Sequence, residues 1–238
     1  MKRPEVQERF VNRDAELPYG LEVSQVVSAV ESFYEYWHEV NEWHLEQGYG
    51  RFHEQFRANN AIGGFVSHRL TIRFAEESPD FVLNRLDDGY PDLLYDGTDY
   101  EWPETYDVKD PDGPGLEVKS SRGTTFYAHH NMEGWLLGIF YRINARGEAD
   151  TDEAPAPDDT PPIEVTQVLC ASMDQEDWEY RDAEGSNRTN TSELEAGTGL
   201  HEMRKNPIIE MDDAITGQGD LLQEYKQAHE EFDPLYSV

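Results

Sequence analysis

Two carboxylates and one lysine, spaced to meet on neighbouring strands, are the residues of this chain best suited to chemistry. Pro91-Asp92 opens the short apolar run PDLLY, and Glu117-Val118-Lys119 lies within a second, LEVKS. On a strand, positions i and i+2 project from one face, so Glu117 and Lys119 would stand side by side. The loop between the runs has Pro111, Gly113, Pro114 and Gly115 in its last five residues and can fold the second run back beside the first. Asp92 and Glu117 can then hold one Mg²⁺, a hard cation that takes carboxylate, carbonyl and water oxygens. Lys119 would face the attacking water or a phosphate. The expected chemistry is metal-dependent phosphodiester hydrolysis.

Acid-x-Lys is a short pattern, and with 50 acids in 238 residues about one of the five lysines should carry it by chance. Three do: Asp107-Val108-Lys109, Glu117-Val118-Lys119 and Glu224-Tyr225-Lys226. The last falls on an expected helix, where residues two apart face different ways. The first lies in a loop beside Asp110-Pro111 and reads as a decoy. Cations that could meet DNA phosphates follow the favoured pattern: Arg122, Arg142 and Arg146, with His129, His130 and Asn131 between them. Arg181, Arg188, Arg204 and Lys205 form a looser second group.

Residues 1–20 read as a polar lead-in arm. From Leu21 to Gln47 the apolar residues recur at helical spacing, through Val23, Val26, Val30, Phe33 and Trp37, until Gly48-Tyr49-Gly50. Glu31, Glu35, Glu39, Glu42 and Glu46 line the polar side; the plain reading is a solvated face, the sharper one that a glutamate reaches the metal site. His38 and His44 are six apart, a poor spacing for a shared ligand. A short helical piece is expected over 51–60. FVSHRLTIRFAEES favours a helix, although its β-branched residues leave room for a strand. FVLNRL (81–86), PDLLY and LEVKS read as strands. WLLGIFYRI (135–143) reads as a central strand covered on both faces, with a helix permitted by its length. Residues 149–162 form an acidic, Pro-rich surface loop, and IEVTQVLCASM (163–173) a further strand. Beyond it come a short helix starting at Asp174, irregular chain or an edge hairpin over 181–199, a helical turn at HEMRKN, a strand at PIIEM and a C-terminal helix within 217–238.

Asp92 in its Pro-Asp pair followed by Glu117-Val118-Lys119 resembles the PD-(D/E)XK nuclease superfamily, of restriction-endonuclease-like fold. The similarity spans roughly residues 60–180, through EVKSSR, His130-Asn131, Gly134-Trp135 and the apolar strand after them. The resemblance implies an α/β domain, a mixed central β-sheet flanked by α-helices, with Asp92, Glu117 and Lys119 catalytic. It implies Mg²⁺ (or Mn²⁺ in its place) held by Asp92, Glu117 and the Val118 carbonyl, and cleavage leaving a 5′-phosphate and a 3′-hydroxyl. DNA is then the partner, and a homodimer a further expectation.

Composition sets the surroundings of such a site. Fifty acidic against 19 basic residues give a net charge of −31, and only 5 of the cations are Lys against 14 Arg. With 5 Trp, 13 Tyr and 10 Phe the chain is not a disordered acidic tail. It looks like a protein of a salt-accumulating halophile. At roughly 1 M salt the Debye length is about 3 Å, so diffuse negative charge would not bar DNA. The single cysteine, Cys170, sits in an apolar run and reads as buried and inert. No signal-like segment and no apolar run of about 18 residues occurs, so a cytoplasmic protein of one domain (1–238) off the membrane is expected. HExxH, paired CxxC, P-loop and dinucleotide fingerprints are all missing from the sequence. Two rivals remain: a nuclease-fold module that binds without cutting, and an acidic DNA mimic. A nuclease predicts acids spread everywhere except near Asp92, Glu117 and Lys119, where cations gather; a mimic predicts a stripe of acids.

Overall fold

A computed structural model describes residues 2–56, 59–87, 89–109, 113–128, 132–143, 161–181 and 191–211. The 149–162 loop (but for its last two residues), the 217–238 helix, His129, His130, Asn131, Arg146 and Arg188 lie outside them.

The long stripe forms α1 (Val23–Glu46), which buries Val23, Val26, Ala29, Val30, Phe33, Tyr34 and Trp37. A reciprocal cap at Glu22 and Gln25 satisfies its first turn. The expected 51–60 piece is one 3-10 turn at Phe52–Gln55. The ambiguous run resolves as α2 (Asn59–Glu77), and Gly63-Gly64 lies inside it. Ile62, Val66, Leu70 and Phe74, four residues apart, are all buried. That period suits a helix, and packing on α1 outweighs the β-branched residues.

Among the described residues nine strands make two sheets. β1 (Phe81–Leu83), β2 (Leu93–Tyr95) and β3 (Gly115–Ser121) form an antiparallel meander. β4 (Tyr127–Ala128) leaves for the second sheet, and β5 (Gly134–Ile143) returns parallel to β3. β6 (Ile163–Met173) runs antiparallel to β5, and β9 (Pro207–Glu210) to β6. The order of the six-stranded sheet is β1-β2-β3-β5-β6-β9. Its mixture of parallel and antiparallel pairs agrees with the α/β expectation. A 3-10 turn at Gln175–Asp177, where a short helix was expected, leads into β7 (Trp178–Arg181). β7 pairs with β8 (Thr191–Leu194), so the edge-hairpin alternative is the one realised, in a three-stranded sheet ordered β4-β8-β7. α3 (Gly199–Arg204) precedes β9.

The two faces of the large sheet carry different cores. Leu116, Val118, Leu137, Ile139, Tyr141, Val165 and Cys170 pack with α1 and α2. Leu136, Phe140, Leu169 and Met173 pack with Phe126, Trp178, Leu194 and Met203 from the small sheet and α3. Among the described residues, long helices therefore flank one face, and a small sheet with a short helix covers the other. β5 is uncharged from Trp135 to Tyr141 because both of its faces are covered there. Gly138 in its middle lets Phe126 lie on the strand: a Cβ there would come within 2.5 Å of that ring.

The N-terminal arm is fastened rather than free. Val11 bridges Ile209 on the outer side of β9, and the Asn12 backbone N–H donates to the Ile208 carbonyl (3.0 Å). Asn206 Nδ2 donates to the Glu16 carbonyl (2.7 Å).

Candidate active site

The β2–β3 pair decides where the three predicted residues meet. Leu93 stands opposite Leu116 and Leu94 opposite Gly115, so Asp92, just before β2, comes level with Glu117. Leu116 and Val118 enter the helix-side core, which turns Glu117 and Lys119 to the opposite face. The two strands then exchange backbone-to-carboxylate hydrogen bonds. The Val118 N–H donates to Asp92 Oδ2 (2.9 Å), and the Asp92 N–H donates to Glu117 Oε2 (3.2 Å). Lys119 Nζ donates to Glu117 Oε1 at 2.5 Å. Gly115 is needed for this approach, because a Cβ on it would lie 2.4 Å from the Leu93 carbonyl oxygen.

The electrostatics follow from crowding two acids in a partly dry place. Glu117 is 5% exposed. Burial first, and the neighbouring Glu117 second, push the Asp92 carboxyl up to about 7, against the opposing pull of Lys119 and the Val118 N–H. Burial disfavours the Lys119 ammonium, yet Glu117 and Asp92 outweigh it and hold its pKa above the ordinary lysine value. Burial and Glu117 also push the Tyr90 phenol up to about 12. Tyr90 is thus a neutral donor, and its hydroxyl donates to the Glu133 carbonyl.

These groups line a cleft of about 810 Å³. Its helix-side wall is Gly64, Ser67, His68 and Thr71 of α2, and its outer wall includes Asn84, Arg85, Asp87, Tyr90 and Lys109. Ser67 Oγ donates to the Val118 carbonyl (3.3 Å) and Thr71 Oγ1 to the Ser67 carbonyl (2.9 Å). A cavity under the N-terminal arm, near Tyr34 and Glu164, is only about 40 Å³. Among the described residues the cleft is lined by Arg85, Lys109 and Lys119 against Asp87, Asp92 and Glu117, three cations to three acids. The whole chain has 19 to 50. Cations are concentrated here.

The oxygen donors suit a hard divalent cation. Asp92 and Glu117, with the Val118 carbonyl and Ser67 hydroxyl beside them, could supply its protein ligands. Among the described residues no group of three or more His, Cys, Asp or Glu gathers at one point. A cation would therefore rest on two carboxylates and keep several waters, as Mg²⁺ commonly does. None of the α1 glutamates lines the cleft; Glu31 accepts from the Val6 N–H, and Arg3 lies 3.8 Å from both Glu31 and Glu35. Glu35, Glu39 and Glu46 are exposed, and Glu31 and Glu42 half-buried.

Of the predicted DNA-contacting residues, Arg122 and Arg142 are described. Arg142 is four residues beyond Gly138, the partner of Lys119, hence about 13 Å further along β5. There its Nε donates to Glu164 (2.8 Å). Arg122 follows the end of β3 and lies near Tyr141, whose phenol burial raises and Arg122 lowers, leaving it at about 12. Neither arginine is among the described residues lining the cleft. Arg204, from the looser group, is buried. Cys170 is free and buried, and burial raises its thiol far above the usual range.

Lys109, from the discarded acid-x-Lys run, does line the cleft. Arg85, Tyr90 and the polar face of α2 were missed as well. The α2 face had a readable signal: Gly64, Ser67, His68 and Thr71 recur at i, i+3, i+4 and i+7, a stripe of small and polar residues beside the apolar one.

Among the described residues no helix is long and apolar enough to cross a membrane. Compared with known protein families, with curated proteins and with solved structures, the chain has no match.

Proposed function

We propose that this chain is a Mg²⁺-dependent DNA endonuclease of the restriction-endonuclease-like class, with Asp92, Glu117 and Lys119 as its catalytic residues. The carrying observation is the meeting of two carboxylates and a lysine on the β2–β3 pair at the floor of an open cleft. The concentration of cations in that cleft supports phosphate as the bound group, and the mixed sheet with helices on one face supports the class. A DNA mimic would need a stripe of acids, whereas the described lining of the cleft holds as many cations as acids.

Asp92 and Glu117, with the Val118 carbonyl, are the groups that would hold Mg²⁺ or Mn²⁺. When bound, such an ion lowers the pKa of its water and offsets charge on the phosphate. The chain's own contribution is position. Hydrogen bonds between the strands fix both carboxylates before substrate arrives, so little reorganisation is left for the reaction. Lys119, kept protonated by Glu117 and Asp92, can donate to the attacking water or to a non-bridging phosphate oxygen.

The test is cleavage of plasmid and short duplexes in KCl from low to multimolar concentration with Mg²⁺ or Mn²⁺, beside Glu117→Gln and Lys119→Ala. Wild type should cut, and each variant should lose roughly 10²-fold or more. Equal cutting by all three would overturn the site. No cutting at any salt, with DNA still bound, would leave a binding module instead.

A further inference from the structure

The cleft's outer wall is built around one side chain, Asn84. Its Nδ2 donates to the Val108 carbonyl (2.7 Å) and to the Pro91 carbonyl (2.9 Å), while its Oδ1 accepts from the Val108 N–H (3.1 Å). The adjacent backbone repeats the clasp: the Arg85 N–H donates to the Tyr106 carbonyl (3.0 Å), and the Tyr90 N–H to the Val108 carbonyl (3.3 Å). Val108 is buried, Tyr90 and Lys109 form a parallel bridge, and Asp92 follows Pro91 directly. A 25-residue excursion of chain is thereby pinned beside the catalytic strand, and it carries two cations, Arg85 and Lys109, on the cleft rim.

Both cations are exposed, and neither has a carboxylate within ion-pair distance among the described residues. Arg3, Arg13, Arg73, Lys119, Arg142 and Lys205, by contrast, are each matched to an acid. Two exposed cations on this hydrogen-bonded ledge, beside the Asp92–Glu117–Lys119 group, are placed to take a second anionic group of the same substrate.

Resting on the nuclease reading, we infer that Lys109 and Arg85 seat a phosphate flanking the one that is cut, so that the substrate is a polynucleotide strand rather than a single phosphodiester. Lys109 is then a positioning residue acting on the strand, and the Asp107-Val108-Lys109 run serves the same site as Glu117-Val118-Lys119. Contacts to phosphate fix register without reading sequence, so this ledge should bind all sequences alike.

The experiment reads binding apart from cutting. Fluorescence anisotropy of a labelled duplex and a labelled single strand, in Ca²⁺ and over a KCl series, would compare wild type with Lys109→Ala, Arg85→Ala, Lys109→Arg and, as a control off the cleft, Arg13→Ala. The slope of log K against log [KCl] should fall by about 1 for each of Lys109→Ala and Arg85→Ala, with affinity reduced to a similar degree for unrelated sequences. Lys109→Arg should restore the slope, and Arg13→Ala should leave it unchanged. Melting temperatures show whether each variant is folded. If wild type binds but Lys109→Ala and Arg85→Ala keep its affinity and slope, the ledge is overturned while the nuclease reading survives. If wild type neither binds nor cuts any nucleic acid, both fall.

Discussion

Asp92 is an acid whose surroundings withhold its charge. Its carboxyl is pushed up to about 7, first by burial and then by Glu117, so near neutral pH it shares the cleft floor as a half-protonated neighbour of a carboxylate. The linkage has a definite sign. An aspartate titrates near 3.9 when unfolded, so between about 4 and 7 the native state binds the extra proton. Asp92 therefore favours folding most below about pH 4, and this contribution is lost as pH rises through 7. Metal-free protein in chelator should melt at progressively lower temperature than Asp92→Asn as pH rises from 4.5 to 8. The comparison with the variant cancels the titration of acids that do not interact with Asp92. A gap between the two that stays constant with pH would contradict the account, and saturating Mg²⁺ should narrow the gap at pH 8 by binding the ionised pair.

At the scale of elements, the site depends on how closely β2 approaches β3. A Cβ on Gly115 would sit 2.4 Å from backbone and 2.3 Å from Pro91, neither of which can swing away as a long side chain could. Gly115→Ala should cost about 1–3 kcal/mol in chemical denaturation, as overpacked positions do, and reduce cleavage further by parting Asp92 from Glu117. Unchanged stability would mean the strands have slack. Much of this arrangement was readable. α1, β5 and β6 announce themselves by period and apolar length, and Glu117 and Lys119 are legible because i, i+2 on a strand share a face. Lys109 was not, because its place is set by Asn84, whose hydrogen bonds span 24 residues and leave no local pattern. Arg142 is close to Lys119 in sequence, yet it stands ninth in the ten-residue β5, four residues beyond Gly138, the partner of Lys119.

At the scale of the whole molecule the main term is repulsion. A net charge of −31 on 238 residues disfavours a compact state, and salt screens it. Exposed pairs such as Arg13–Glu8 and Lys205–Glu202 are too weak to offset that. The melting temperature should rise steadily between 0.1 and 3 M KCl, measured by circular dichroism. A fall over the same range would show that surface pairs, not net repulsion, govern stability. If the chain is the nuclease proposed above, the same screening would let DNA approach everywhere and leave the balanced cleft to select where it settles.

The arm fastened along β9 matters to this molecule in concentrated solution. A sheet's last strand presents unpaired N–H and C=O groups that a second chain can extend, and β9 occupies that position here. Val11 and Asn12 occupy part of its outer side. In strong salt, charge no longer keeps neighbouring copies apart, so the cap has to do so by geometry. Removing residues 1–16 should leave a protein that scatters light and self-associates in 3 M KCl yet stays dispersed at low salt, where its own acidity protects it. Dispersal at both would assign the arm to packing alone.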